Sequence, residues 1–310
     1  MRKRCLDMVY HLASKDERVV FIGSDLSPGL LSQMKDEMPD RYFMEGIAEG
    51  NIFGMAAGMA MEGFIPYVNT ISTFITRRAF EQVAIDLCLH DLPVRMIGNG
   101  GGYVYAPLGP THQAIEDFAT MRSLPNMTVV SVCDAEEMCR FMEATLNWPH
   151  PIYIRLGKGG DPVVSKEDKG FAIGKAITIL DAASPDIAIL TTGIMAKRAL
   201  EAATELQNDG YSVAVIHHHT IKPIDRESIK ITARSVKKIV TLEEHNIIGG
   251  FGSAVAEVIM DEDLAGNVKL SRMGIPDVFC EYYGSQNQIL DHFGLSVEGI
   301  VAKTKEGIER

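Results

Sequence analysis

Six short apolar runs, Val19 to Ile22, Val94 to Ile97, Val129 to Val132, Ile187 to Leu190, Val213 to Ile216 and Ile239 to Leu242, recur along the chain with helical stretches between them. Runs this rich in apolar residues, broken only by Arg95, Ser131 and Thr241, read as strands buried on both faces. Strands that alternate with helices are joined by crossovers, which makes their sheets parallel. Several runs lead directly into a helix start, as in Val132-Cys133-Asp134-Ala135-Glu136-Glu137, where Asp134 can cap and the acids suit the positive helix end. The rhythm breaks between Gly157 and Pro185, with Gly159, Gly160, Pro162 and the charged stretch Lys166-Glu167-Asp168-Lys169. The expectation is an α/β protein of two consecutive domains, each a mostly parallel sheet covered by helices. The first spans residues 1–158 and the second 185–310, with a linker over 159–184.

Composition narrows the function classes. The 310 residues are 46% hydrophobic, enough for two cores, and the formal charge of -11 repels nucleic acid and anionic membranes. The apolar stretches fall far short of the roughly 20 residues of a membrane span. Asp7, Lys15, Asp16 and Glu17 interrupt any apolar signal core at the start. Five cysteines without a C-x-x-C pair fit a reducing cytoplasm and argue against disulfides or a thiolate zinc site. The expectation is a cytoplasmic protein with neither a nucleic-acid nor a membrane partner and no metal ligands of its own.

Two glycine clusters, Gly98-Asn99-Gly100-Gly101-Gly102 and Gly249-Gly250-Phe251-Gly252, do not complete a dinucleotide fingerprint and are read as tight turns. His217-His218-His219 cannot all face one ion, because consecutive strand residues point to alternate sides; a polar loop or subunit contact is expected. His112, in Gly109-Pro110-Thr111-His112-Gln113, follows a strand and a glycine-rich loop, the place where α/β proteins bind ligands.

Taken together, Tyr42 to Gly63 with Gly46-Ile47-Ala48-Glu49, Asp25-Leu26-Ser27-Pro28, Ser72-Thr73-Phe74, Gly109-Pro110-Thr111-His112-Gln113 and Leu124-Pro125-Asn126 resemble the pyrimidine-binding domain of transketolases and of 1-deoxyxylulose-5-phosphate synthase. Lys222-Pro223-Ile224-Asp225, Glu243-Glu244-His245-Asn246 and Gly249-Gly250-Phe251-Gly252 resemble the transketolase C-terminal domain. The chain contains no Gly-Asp-Gly diphosphate motif. It is therefore similar to the C-terminal subunit of a split transketolase, a half-enzyme that needs an N-terminal partner.

The resemblance implies thiamine diphosphate as cofactor, with Mg2+ or Ca2+ held by the partner subunit, and transfer of a two-carbon ketol unit from a ketose or its phosphate to an aldehyde. It places Glu49 as the carboxyl that bonds the pyrimidine ring nitrogen, in an apolar helix start favouring the protonated form. Phe74 is placed as the stacking aromatic, with Ile71 lining the same pocket and Asp25 in a loop near the thiazolium. His112 is expected to bond substrate, and Lys158, helped by Arg155, to hold a phosphate. Self-association as a dimer within a heterotetramer follows from the same resemblance, with Ile52, Phe53, Met55 and Met59 at the subunit contact.

Three departures alter the substrate side: Leu108 replaces a donor-binding aspartate, Gly100 a substrate histidine, and Gly50-Asn51 the pair after the catalytic glutamate. Cofactor activation is expected to be intact and substrate recognition changed. Competing readings are a decarboxylating transfer like that of deoxyxylulose-phosphate synthase, a 2-oxoacid dehydrogenase β subunit, and a non-catalytic regulatory subunit.

Overall fold

A computed structural model describes residues 1–26, 29–157 and 159–308. Helix α1 (Arg2–Lys15) leads into β1 (Val19–Gly23), α2 (Ser32–Glu37), β2 (Tyr42–Met44), α3 (Glu49–Met61) and β3 (Ile65–Ile71). In the helical segment 74–89, α4 (Phe80–Gln82) lies between two π-helical turns, Phe74–Arg78 and Val83–Leu89. There follow β4 (Arg95–Asn99), α5 (Asp117–Arg122), β5 (Thr128–Ser131), α6 (Ala135–Thr145) and β6 (Ile152–Leu156). The second half contains β7 (Ile177–Leu180), β8 (Ile187–Thr191), α7 (Met195–Asn208), β9 (Val213–His217) and β10 (Thr220–Lys222). It ends with α8 (Arg226–Ser235), β11 (Lys238–Asn246), α9 (Phe251–Asp261), β12 (Lys269–Ile275), α10 (Gln286–His292) and α11 (Val297–Lys305).

The strands form two sheets, in the orders β10-β5-β6-β4-β3-β1-β2 and β12-β11-β8-β9-β7. All neighbours run parallel except β10 beside β5 and β7 beside β9. Strands β1, β4, β5, β6, β8 and β9 are buried at every position, as continuous apolar runs demand when helices cover both faces. The predicted cap on α6 is present: Asp134 accepts from the amides of Glu136 and Glu137. Buried Arg95 closes the other end, donating to the carbonyls of Thr145 (2.6 Å), Trp148 (2.5 Å) and His150 (2.9 Å). Among the described residues, no helix is long and apolar enough to cross a membrane.

The join between the halves is more structured than a bare linker. Strand β7 lies inside the stretch 159–184 and pairs with β9, while β10 crosses from the second half into the first sheet. A buried polar seam ties residues 101–119 to 244–246. There Arg155 meets Asp117 at 2.9 Å, and its guanidinium also donates to the carbonyls of Ala114 and Glu244. Tyr103 N donates to Glu244 Oε1, and Asn246 N to the Ile115 carbonyl. This seam explains part of the first glycine cluster: a Cβ on Gly102 would lie 2.2 Å from the Glu244 carboxyl carbon. The cluster permits close approach as well as turning.

In the first sheet the chain leaves β1 toward β2 on one side and returns to β3 on the other. The carboxyl ends of β1 and β3 thus flank a topological switch point, where open α/β sheets bind ligands.

Candidate active site

The residues expected to hold the cofactor gather at that switch point. The β1–β3 register ends with Gly23 paired to Asn69, so Asp25 follows the end of β1, and Ile71 the last β3 residue paired with β1, by two positions each; Ile71 is in turn paired with Asn99 on β4. Asp25 is exposed, and its carboxylate accepts from the Ser24 hydroxyl at 3.4 Å. Asn99 fixes the strand ends by donating to Asn69 Oδ1 at 2.7 Å and to the Thr70 carbonyl at 3.0 Å.

Immediately after β3, the chain turns into the first π-helical turn with Phe74 half-buried at its start. π-helical turns are uncommon and concentrate at functional sites, because the extra residue re-aims the side chains around it. Here the turn directs two adjacent arginines to different jobs. Arg77 donates to the carbonyls of Pro110 (3.0 Å) and Gln113 (2.9 Å) and pairs with Glu116, which fastens the His112 loop to the Phe74 segment. Arg78 lies with its guanidinium carbon 4.1 Å from the centre of the Phe74 ring and donates to Glu49 Oε2 at 2.8 Å.

Glu49 is the first residue of α3 and only 1% exposed. The helix amides favour its negative charge. Its surroundings differ from the apolar setting expected from Ile47, Ile52, Phe53, Met55 and Ala56: one side faces the Arg78 guanidinium, and Ile47 is exposed. Sequence neighbours did not reveal this contact because it spans 29 residues.

His112 stands edge-on to Phe74, ring centres 5.3 Å apart, and its Nδ1 meets the Thr111 hydroxyl at 2.9 Å. Phe74, His112, Glu49 and Arg78 thus form one cluster at the segment that follows Ile71 in the chain. Arg155 is not part of it. Its guanidinium is buried in the seam, paired with Asp117 and stacked 4.3 Å over Phe118, so the phosphate role expected of it does not fit the geometry. Lys158 lies outside the described residues.

The departures at positions 100 and 108 have a physical setting. A Cβ on Gly100, which has φ of +79°, would stand 2.2 Å from the Tyr105 ring. Tyr105 therefore fills the space that a larger side chain at position 100 would need. Leu108 is 57% exposed on the same loop as His112 and offers an apolar surface.

Sequence reasoning did not single out Arg77 and Arg78, which the structure places against the His112 loop and Glu49. Their signal was the arginine pair directly after Thr73-Phe74, but only the π turn decides which faces Glu49. The cluster fits a flat nitrogen heterocycle. The planar cation already lying over Phe74 and bonded to Glu49 shows that a flat hydrogen-bonding group can be accommodated there.

Two family descriptions match, "Transketolase, pyrimidine binding domain" over residues 1–160 and "Transketolase, C-terminal domain" over residues 175–300. The chain belongs to the transketolase family. A transketolase family protein of Sinorhizobium fredii is 37% identical over 305 residues, covering 96% of this chain and 86% of its own. A 6-deoxy-6-sulfo-D-fructose transketolase subunit of Clostridium sp. is 34% identical, covering 100% of this chain and 95% of its own. Among solved structures, a split gene transketolase described as an inactive beta4 tetramer is 35% identical, with a TM-score of 0.89 over 98% of this chain and 97% of that one. The transketolase family depends on thiamine diphosphate.

Proposed function

We propose that this chain is the cofactor-activating half of a two-chain transketolase. It moves a two-carbon ketol unit from a ketose or ketose phosphate to an aldehyde acceptor. The observation that carries the reading is the buried carboxyl of Glu49 at the start of α3, facing a planar group held over Phe74.

Thiamine diphosphate, when bound, supplies the carbanion chemistry of the transfer. Phe74 would take one face of its aminopyrimidine, and Ile71 and Asp25 would border the same place. Glu49 would hold a proton at the pyrimidine ring nitrogen, taking over the hydrogen-bonding position that Arg78 Nη1 has now. Its carboxyl is buried on the α3 side, so solvent reaches that bond only from the side Arg78 now covers. His112, held by the Arg77-fastened loop beside Phe74, would hydrogen-bond the donor sugar. Tyr105 over Gly100 and exposed Leu108 would reshape the substrate wall, which favours a donor other than a common pentose phosphate. Lys158 remains the candidate for a substrate phosphate.

The diphosphate end and its Mg2+ or Ca2+ would belong to an N-terminal partner subunit. The end-to-end match with a subunit-sized relative and a split-gene structure supports this division. For assembly, Ile52 and Phe53 lie in this chain's own core and are not free for a contact. The open face of α3 carries exposed Asn51, Gly54 and Gly58 beside half-buried Met55 and Met59, a small-residue surface suited to meeting a second copy within a heterotetramer.

The test is reconstitution. The chain mixed with an N-terminal subunit carrying Gly-Asp-Gly, thiamine diphosphate and Mg2+ should transfer ketol units, whereas either chain alone should not. Full turnover by this chain alone would refute the two-chain reading.

A further inference from the structure

Three consecutive histidines cannot all face one ion, but His217, with His219 two positions on, can when further donors come from another element. After β9 the chain crosses from the second sheet to the first, and Ser131 N donates to the His219 carbonyl as β10 joins β5. His217 and His218 part in the alternation expected. The His218 ring turns to Phe251, whereas the His217 ring turns to the start of α6.

There His217 Nε2 lies 3.0 Å from Glu137 Oε2, and Cys133 N donates to the same oxygen at 2.7 Å. The thiol of Cys133, a carboxylate oxygen of Glu137 and a ring nitrogen of His217 all lie within 4.8 Å of one another, on residues 0–2% exposed. The hydrogen bonds do not complete the group. Among the described residues, Glu137 Oε1 and His219 Nε2 are buried without a hydrogen-bond partner, which buried polar atoms rarely are unless something else binds them. The His219 ring centre is 5.9 Å from that of His217.

We propose that Cys133, Glu137 and His217 form a binding site for a zinc-class divalent ion, with His219 as the candidate fourth donor. One sulfur, one nitrogen and one carboxylate oxygen match zinc or cobalt and not the all-oxygen sets of Ca2+ or Mg2+. Bond lengths of about 2.0–2.3 Å at tetrahedral angles require donor separations of about 3.3–3.6 Å, which small side-chain movements reach from the spacing present. On ligation the Cys133 thiol gives up its proton to solvent, and each histidine ligates through a ring nitrogen that carries no proton. Cys133 and Glu137 belong to the first unit and His217 to the second, so the ion would fasten the two halves. It lies at β5, three strands from β3 and the cofactor cluster. Its role is structural and separate from the cofactor metal.

The full chain, stripped with chelator, is titrated with Co2+ and followed by absorbance, and protein produced in zinc-supplemented medium is assayed for bound metal. The site predicts about one equivalent of metal, tetrahedral d–d bands and a near-ultraviolet thiolate-to-cobalt charge-transfer band. The charge-transfer band should vanish in Cys133→Ser, and His217→Asn should lower affinity at least tenfold. Zinc should raise the melting temperature of the parent and not of Cys133→Ser. Metal-free protein from supplemented medium together with no cobalt spectrum would overturn the site, as would an unchanged charge-transfer band in Cys133→Ser. Should Cys133→Ser fail to fold, Cys133→Ala and the metal content of the parent decide between the same two outcomes.

Discussion

Arg78 reaches back to the buried carboxylate of Glu49, Nη1 to Oε2 at 2.8 Å, while the far side of the same ion pair is about half exposed. A pair open to solvent on one side is worth about 0.2–1 kcal/mol, because water screens the cation and the arginine side chain loses freedom. Its guanidinium also covers the Phe74 face that an aminopyrimidine would need. With Glu49 and Phe74 as the proposed partners of the cofactor, Arg78 would compete with it for both. Replacing it by Ala should tighten binding of an aminopyrimidine fragment by about fivefold, the equivalent of about 1 kcal/mol. Calorimetry on the single chain measures this, and weaker binding by Arg78→Ala would show that Arg78 helps build the site instead.

The second prediction separates proton chemistry from binding at Glu49. Gln keeps the shape and a hydrogen-bonding amide but has no acid to hold or release a proton. In the reconstituted enzyme Glu49→Gln should retain cofactor affinity within a few fold and lose about 10²–10⁴ in turnover, the range for general acid–base groups. Near-normal turnover would assign the role to another group.

How much of this was readable in the chain depends on the range of the contact. The α/β alternation, the Asp134 cap and the helix beginning at Glu49 rest on local patterns, and the structure keeps them. Family motifs placed Glu49, Phe74 and His112, which the fold brings to one cluster. What was not legible came from distant packing. Arg155 reads as a second cation beside Lys158 for a phosphate, yet it lies within β6 and is committed to Asp117 because β6 and the α5 start meet in three dimensions. Crossing of β10 into the other sheet likewise leaves no mark in a three-residue strand.

Arg155 supplies the third prediction. A cation 5% exposed and paired with a fully buried carboxylate cannot be removed without stranding Asp117, whose carboxyl burial already pushes up from its ordinary value. Breaking such a pair costs about 3–5 kcal/mol. Arg155→Met should therefore lower stability by that amount in urea unfolding, and Asp117→Asn on the Arg155→Met background should recover part of it. A variant of parental stability whose only defect is a raised KM for phosphorylated substrate would restore the substrate role that the geometry denies.

The seam also carries a pH response. His245 is buried, stacked on Phe118 with ring centres 5.0 Å apart; its Nε2 accepts from Ala119 N at 3.3 Å and its Nδ1 lies 2.6 Å from the Asn246 carbonyl. Burial first, and then the charge of Arg155, pull its pKa down from 6.5 to about 3. The unfolded chain takes up a proton near 6.5, while the folded chain holds this ring neutral until about 3. Between these values the unfolded state binds more protons, so the contribution of His245 is present in full above the upper value and is lost progressively as pH falls toward the lower one. Within that window the slope is about 1.4 kcal/mol per pH unit for one proton. His245→Gln keeps an acceptor and a donor but cannot titrate, so its stability should fall less steeply on acidification than the parent's. Urea unfolding at pH 7, 6, 5 and 4 compares the two. Parallel pH profiles for parent and variant would show that His245 does not make the seam acid-sensitive.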